Sequence, residues 1–243
     1  METINSVLSE QTTDYNNIAA KYDIHEKNAA TLWYLGYQYL LSYLNPIESK
    51  TILDYGCGSG TFCRFLHDYK AIVTGVDTSE NMIKIAKEDY SDGIIYNQIT
   101  SGNLGFMPEN SFDFALSNFV LCTISTRKEI IDIMKSIFRV LKKGGSFIIM
   151  SPNWDKSNGK EFISFKLQYS GDLYSGKPVT AVIKTEPPII LNDYYWSKAE
   201  YLKFLADSGF EIQGIEEPLA KGISAPWIAE KSYPPYHIIS AKK

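Results

Sequence analysis

Three glycines at alternate positions follow a short apolar segment that carries an acid near its end. They are Gly56, Gly58 and Gly60, and the acid is Asp54. Glycine tolerates a positive φ, and without a Cβ it lets a ligand lie directly against the backbone. A buried strand that turns in this way into a helix is where open α/β folds bind nucleotides. The segment therefore predicts a nucleotide site.

A second acid stands where such a site would need one. The apolar segment 71–77 ends in Asp77, about 20 residues past the glycine turn. A carboxylate there can reach the ribose hydroxyls of an adenosine, and its oxygens can accept from two neighbouring hydroxyls. It would repel a ribose 2′-phosphate. The structural alternative is a helix cap, although Thr78 and Ser79 can cap the next helix without it.

The spacing excludes two other nucleotide motifs. A dinucleotide fingerprint needs a glycine three positions after its second glycine, and Thr61 stands there. A phosphate-binding P-loop needs a lysine followed by serine or threonine, which residues 56–61 do not contain. An NAD-dependent oxidoreductase is therefore disfavoured.

The pattern D-x-G-x-G-x-G that begins at Asp54 resembles motif I of the class I S-adenosylmethionine-dependent methyltransferases. Tyr15 and the pair Tyr22-Asp23 resemble the lead-in of the small-molecule branch, called type 11. Three further segments resemble the family's fourth strand, its turn into the fifth strand, and the helix and turn before the sixth: 108–120, 139–149 and 202–210. Residues 15–152 resemble the family well, and 195–243 loosely.

The resemblance implies an α/β fold, a Rossmann-like, seven-stranded, mostly parallel sheet with helices on both faces. It implies S-adenosyl-L-methionine as the cofactor and S-adenosyl-L-homocysteine as its product. Asp77 would hold the ribose, the glycine loop would lie along the methionine part, and Tyr22 and Tyr15 would lie near the sulfonium. The residues expected at the cofactor are Tyr15, Tyr22, Asp54, Gly56, Cys57, Gly58, Gly60, Asp77, Thr78, Met82, Ser101, Gly102, Asn103, Ser117 and Asn118.

The chain departs from the family after the third predicted strand. Many relatives carry there an acid that binds the adenine amino group, whereas residues 99–104 contain no carboxylate. The side-chain oxygen of Ser101 or of Asn103 can accept the same hydrogen bond. This departure leaves open a second hypothesis, a non-catalytic protein that keeps the cofactor-binding fold and serves as a partner or sensor.

Candidate catalytic residues are fewer. Cys122-Thr123 replaces the histidines that relatives often carry after the fourth strand, so no general base is obvious there. The candidates are Tyr22 and His25, and, where the family has substrate-side aromatics, Tyr194 and Tyr195. The expected reaction is methyl transfer to an oxygen or nitrogen of a small, aromatic or apolar metabolite. Three scattered histidines and no cysteine or carboxylate cluster predict no metal site.

The elements that must position these residues follow from periodicity. Apolar residues near a 3.6-residue spacing predict a helix over residues 13–44, and capping boxes begin helices at Thr126 and Ser197. Strands alternate with helices, which predicts a mostly parallel sheet. Those strands are predicted at 51–55, 71–77, 93–99, 112–117, 146–151, 211–217 and 236–241.

A single domain, 1–243, is expected, with four parts. They are an N-terminal helical lid (1–45), the cofactor-binding core (46–151), a cap or substrate insertion (152–195), and a C-terminal helix with strands (196–243). The insertion contains several glycines and prolines and is predicted to be irregular, either a lid or binding loop or a disordered surface segment.

Composition limits the function classes. The net charge is −4 and no basic arm is present, so nucleic acid is not expected as a partner, and 117–120 lacks the prolines of base methylases. No apolar run is long enough to span a membrane, and the start of the chain lacks the features of a signal peptide. Three cysteines do not suggest a disulfide framework. We expect a cytoplasmic monomer or homodimer with a small-molecule acceptor.

Overall fold

A computed structural model of the protein describes residues 12–89 and 92–243, so the first 11 residues of the predicted lid lie outside the described part. Ten strands form two sheets. The strands are β1 (Thr51–Tyr55), β2 (Ile72–Asp77), β3 (Ile95–Gln98), β4 (Phe112–Asn118), β5 (Leu141–Pro152), β6 (Phe165–Gln168), β7 (Lys177–Ile183), β8 (Ile189–Tyr195), β9 (Glu211–Glu216) and β10 (Tyr236–Lys242).

The larger sheet has seven strands in the order β3-β2-β1-β4-β5-β10-β9. Strands β1 to β5 run parallel, and β1 pairs with β2 on one side and β4 on the other. Asp54 lies opposite Gly75 of β2 and Leu116 of β4. The strand order therefore reverses at β1, and a crevice opens where β1 and β4 end.

Strand β10 lies between β5 and β9 and runs antiparallel to both. It is the last strand along the chain, so it inserts into the sheet after its neighbours have been made. This arrangement confirms the predicted Rossmann-like, seven-stranded, mostly parallel sheet.

Helices cover both faces of this sheet. The helices are α1 (Tyr15–Asn28), α2 (Tyr37–Tyr43), α3 (Thr61–Asp68), α4 (Glu80–Asp89), α5 (Arg127–Val140), α6 (Trp154–Ser157) and α7 (Lys198–Asp207). Leu53 and Phe147 belong to a core cluster with α5 and α7, and Ile52 and Ile148 to another with α2 and α3. None of the helices in the described ranges has the length and apolar character of a membrane span.

Both predicted capping boxes supply helix caps. The Thr126 hydroxyl accepts from the N–H of Glu129, and the Ser197 hydroxyl accepts from the N–H of Glu200. Helical structure is confirmed over most of residues 13–44, with one break. Helix α1 ends at Asn28, the ψ of 91° at Ala29 is extended, and a π-helical turn, Leu32–Gly36, precedes α2.

Hydrogen bonds attach the first turn of helix α1 to the start of α4. The Asn16 side-chain oxygen accepts from the Ser79 hydroxyl at 2.8 Å and from the Asn81 N–H at 3.1 Å. The Asn81 amide in turn donates to the Asn16 carbonyl at 2.9 Å. Helix α1 therefore lies beside the carboxyl end of β2.

The prediction that residues 152–195 are irregular is wrong. Strands β6, β7 and β8 form a second, antiparallel sheet in the order β6-β7-β8. Alternate residues of these strands are buried, as the period of a strand requires. Phe165 of β6 stacks on Tyr236 of β10, with 5.7 Å between ring centroids. The second sheet therefore packs against the first.

Candidate functional site

The loop after β1 depends on the positive φ angles of its glycines. The φ angles of Gly56, Gly58 and Gly60 are 80°, 53° and 80°. A Cβ on Gly56 would lie 2.0 Å from a Val120 methyl group, and one on Gly60 would lie 2.5 Å from the Tyr96 hydroxyl. Gly56 and Gly60 therefore need to be glycine, both for their backbone conformation and because no space is left for a Cβ.

The Asp77 carboxylate lies against this loop. One oxygen accepts from the N–H of Gly58 at 2.9 Å, and the other accepts from the N–H of Ser79 at 2.8 Å. Burial raises the pKa of Asp77, against these backbone hydrogen bonds, which favour the ionised form. Each oxygen keeps a further lone pair, so the carboxylate is held in place and can still accept from a ligand.

A cavity of about 720 Å³ lies at the crevice between β1 and β4. Its walls come from α1, the glycine loop, the segments after β2, β3 and β4, and the first turns of α5. Nine of the fifteen residues predicted at the cofactor line it: Tyr15, Tyr22, Gly56, Gly58, Asp77, Thr78, Met82, Ser101 and Asn118.

The other six predicted residues do not line this cavity. Asp54 is buried under the glycine loop, where one oxygen accepts from the Cys63 thiol and burial raises its pKa to about 7. The Gly102 N–H donates to the Tyr55 hydroxyl, and the Asn103 side chain accepts from the N–H of Gly105 within its own turn. The remaining three, Cys57, Gly60 and Ser117, are also absent from the cavity lining.

A carboxylate that the sequence analysis missed lies beside Ser101. Glu129, in the first turn of α5, lines the cavity and accepts from the Ser101 hydroxyl at 2.6 Å. No local motif indicates this residue, because α5 is separate in sequence from the segment after β3. The cavity wall beside Ser101 therefore does carry an acid, although the acid comes from α5 and not from residues 99–104.

A second, smaller cavity of about 60 Å³ adjoins the first. Tyr15, Tyr22 and Phe119 line both cavities. The rings of Tyr15 and Tyr22 meet edge to face, with centroids 5.5 Å apart. The other residues that line the second cavity are His25, Glu26, Ala29, Leu32, Pro152, Ser164, Phe165, Leu167, Ala181, Ile183, Leu191, Asp193 and Tyr236.

Two acids, the partly buried Glu26 and the buried Asp193, line this mostly apolar cavity. The Glu26 carboxylate accepts from the Tyr37 hydroxyl at 2.6 Å, and burial raises its pKa. Asp193 of β8 is buried, and its Oδ1 has no hydrogen-bond partner among the described residues. Burial raises the pKa of Asp193 to about 7, against a hydrogen bond from the Cys122 thiol.

The structure separates the predicted catalytic residues. Tyr22 and His25 lie at the second cavity, and burial lowers the pKa of His25 to about 4, which keeps the imidazole neutral. Tyr194 and Tyr195 line neither of these two cavities. Tyr195 is buried and donates to Asp155 at 2.6 Å, and Tyr194 packs on the core at α5 and α7, because neighbouring strand residues face opposite sides.

No group of three or more metal-ligating side chains occurs within the ranges 12–89 and 92–243. The site is thus a large cavity with a glycine loop and a fixed carboxylate, joined to a smaller apolar cavity.

Comparison with known proteins gives one family and several relatives. The model of a methyltransferase domain of the type 11 group matches residues 53–149. N-demethylindolmycin N-methyltransferase of Streptomyces griseus is 28% identical over 84% of this chain and 90% of its own length.

Solved structures share the fold. An S-adenosylmethionine-dependent methyltransferase from Mesorhizobium loti superposes with a TM-score of 0.63 at 23% identity, over 85% of this chain and 96% of its own. One from Aquifex aeolicus gives 0.62 at 17% identity, over 94% and 98%. The glycine loop and the carboxylate fixed at the end of β2 agree with an S-adenosylmethionine-dependent methyltransferase, and over residues 53–149 the chain is similar to the type 11 methyltransferase domain.

Proposed function

We propose that the protein transfers the methyl group of S-adenosylmethionine to an oxygen or nitrogen atom of a small, aromatic or apolar acceptor. The observation that carries this proposal is that a large cavity of mixed polar and apolar lining meets a small, mainly apolar one at Tyr15, Tyr22 and Phe119. A methyl donor in the first cavity and an acceptor in the second would face each other across these rings.

The residues of the large cavity fit the cofactor. The Gly58 backbone is open to the cavity, since a Cβ there would find its nearest atom 3.9 Å away, at Glu26. Asp77 offers fixed acceptor oxygens for the ribose hydroxyls. For the adenine amino group we propose Ser101 together with Glu129, which supplies the charge that residues 99–104 lack.

The cofactor, when bound, supplies a methyl group already activated by a positive sulfonium. The protein's part is then to position the reactants and exclude water, which is worth on the order of 7–11 kcal/mol in favourable model systems. We propose that the rings of Tyr22 and Tyr15 border the sulfonium, where cation–π contact contributes roughly 0.5–2 kcal/mol.

The second cavity supports a small, mainly apolar acceptor. Its lining is chiefly aliphatic and aromatic, and it comes from α1, β6, β7, β8 and β10. At about 60 Å³ it holds only a few water molecules, so an acceptor must displace side chains of this lining. The relative from Streptomyces griseus, by its name an N-methyltransferase of demethylindolmycin, supports a small metabolite.

We further propose that the four parts of the chain divide this work. Helix α1, in segment 1–45, and the second sheet, in segment 152–195, would form the roof and wall of the acceptor cavity. Segment 46–151 would bind the cofactor, and segment 196–243 would complete the sheet.

Cofactor binding tests the first half of the proposal. Native mass spectrometry with added S-adenosylmethionine should give one bound cofactor, and calorimetry should give its affinity. Replacing Asp77 by alanine removes hydrogen bonds to a charged group and should weaken binding by about 1.5–3 kcal/mol. The exposed Asp68→Ala, at the end of α3, is the matched control and should bind like the wild type.

Equal affinities for Asp77→Ala and Asp68→Ala would contradict the assignment of Asp77. A turnover assay with candidate acceptors tests the second half, because a non-catalytic binding protein would hold the cofactor and release no S-adenosylhomocysteine.

A further inference from the structure

We propose that Asp193 is the polar anchor of the acceptor cavity and that the acceptor is an amine, whose N–H this carboxylate holds and whose proton it receives during transfer. This inference rests on the proposed function and narrows its acceptor to one chemical class.

The charges around the cavity favour an amine. Among its described lining residues, two are carboxylic acids and none is lysine or arginine. The one imidazole, His25, is neutral because burial lowers its pKa to about 4. A nitrogen nucleophile becomes positive as its new bond forms, and nearby carboxylates stabilise that charge. An acidic acceptor, or the alkoxide of an alcohol, would bring negative charge close to these carboxylates, which would repel it.

Asp193 has the free bonding capacity that an anchor needs. Two other polar side chains of this cavity already have partners: Glu26 accepts from Tyr37, and the Ser164 hydroxyl accepts from the Thr31 N–H at 3.3 Å. Asp193 Oδ1, by contrast, is buried without a partner among the described residues. A buried acceptor without a partner costs about 1–3 kcal/mol, and a ligand N–H would remove that cost.

In the proposed step the amine lone pair forms the bond to the methyl carbon, the carbon–sulfur bond breaks, and its electron pair leaves on sulfur. The N–H proton passes to the ionised carboxylate of Asp193 and is later lost to solvent. Because its pKa is about 7, Asp193 is partly ionised near neutral pH, where a general base works well.

Four of the groups that surround Asp193 do not titrate near neutral pH. Tyr15 and Tyr22 of α1, Cys122 after β4, and Tyr201 of α7 have pKa values raised by burial, so all four stay neutral near pH 7. Glu26 is the other acid at the cavity, and its pKa is also raised. If the pH dependence of the methylation rate changes in Asp193→Asn, the change therefore reports the titration of Asp193.

The test compares benzylamine, benzyl alcohol and benzoic acid as acceptors, with several ring-substituted forms of each, for the wild type and Asp193→Asn. Methylated products are measured by mass spectrometry. We expect products from amines alone, and a loss of at least ~100-fold in rate for Asp193→Asn with unchanged cofactor affinity. Asp172→Asn, an exposed acid-to-amide change in the same segment, is the matched control and should behave like the wild type.

A second readout needs no acceptor. The pKa of Asp193 is higher in the folded chain than its usual 3.8, so ionising it weakens the fold as pH rises towards and through about 7. The melting temperature of Asp193→Asn should therefore fall less than that of the wild type between about pH 5 and about pH 8.

Preferred methylation of alcohols or acids, or an undiminished amine rate in Asp193→Asn, would overturn the inference and leave the proposed function standing. Cofactor binding without methylation of any acceptor would overturn both.

Discussion

At the scale of single residues, each glycine of the loop after β1 meets a different neighbour. A Cβ on Gly56 would strike Val120, one on Gly60 would strike Tyr96, and one on Gly58 would reach only the far end of Glu26 at 3.9 Å. Gly56 and Gly60 therefore belong to the packing of the core as much as to the site. Gly58 is the position where the backbone itself is available to a ligand.

We predict that Gly60→Ala destabilises the fold by more than backbone strain alone. A left-handed residue with a Cβ costs about 1–2 kcal/mol, and here the Cβ would also lie 2.5 Å from the Tyr96 hydroxyl. Gly144→Ala is the matched control, since its φ of 78° is nearly the same and no atom lies within 4 Å of its Cβ. Denaturant unfolding measures both, and equal losses would refute the steric contribution.

The sequence shows some site residues and hides others for a physical reason. Asp77 is evident because it ends an apolar strand at a fixed distance from the glycine turn. Glu129 and Asp193 carry no such local signal, since each comes to its cavity from an element that folds back from elsewhere in the chain. Sequence reasoning therefore identified residues that line the large cavity and missed the acids Glu129 and Asp193 at the two cavities.

At the scale of elements, helix α1 contributes to both cavities, so its attachment to the core governs both. Tyr15 and Tyr22 face the cavities, while Asn16 accepts from Ser79 and Asn81 at the start of α4. The helix is thus held at its first turn, next to the carboxylate of Asp77.

We predict that Asn16→Ala loosens α1 by about 0.5–1.5 kcal/mol, the usual net value of a hydrogen bond, because Ser79 is buried but Asn16 and Asn81 are exposed. Amide hydrogen exchange over residues 15–28 should quicken, while the global unfolding midpoint changes little. Asn28→Ala is the control on the same helix, because the Asn28 amide donates to the Ile24 carbonyl within α1. Identical exchange in the two variants would show that the contact with α4 does not hold the helix.

The second sheet is the element that the sequence analysis missed. Burial does alternate along its strands, since Val179, Ala181 and Ile183 are buried. Pro178 and the flanking glycines nevertheless suggested an irregular segment. Pro178 is tolerated because β6 pairs with β7 only from Thr180 onwards, so one side of β7 has no ladder at the proline. The β1 to β5 pattern was predictable because buried parallel strands form continuous apolar runs.

At the scale of the whole molecule, Tyr236 joins the two sheets. It belongs to β10 of the large sheet, stacks on Phe165 of the small one, and meets Phe119 at 5.2 Å between ring centroids. Its ring also lines the acceptor cavity. Packing between the sheets and the shape of the cavity therefore depend on one side chain.

We predict that Tyr236→Ala destabilises the fold by about 3–5 kcal/mol, the range for removing a large buried aromatic ring. The unfolding transitions followed by tryptophan fluorescence and by far-UV circular dichroism should no longer coincide, because the sheets lose their shared ring. Tyr174→Ala, at a side chain 62% exposed, is the control. Coincident transitions in Tyr236→Ala would show that other contacts couple the sheets.

The place of β10 in the sheet also bears on how the chain is made. Strand β5 pairs with β10 along its whole apolar segment, from Ser146 to Pro152. After β5 leaves the ribosome, residues up to 242 must still be translated, which takes on the order of 5–20 s. During that time β5 carries an open edge of buried residues, the kind of surface that pairs with other chains. Pairing with β10 therefore covers this edge of β5 in the folded protein.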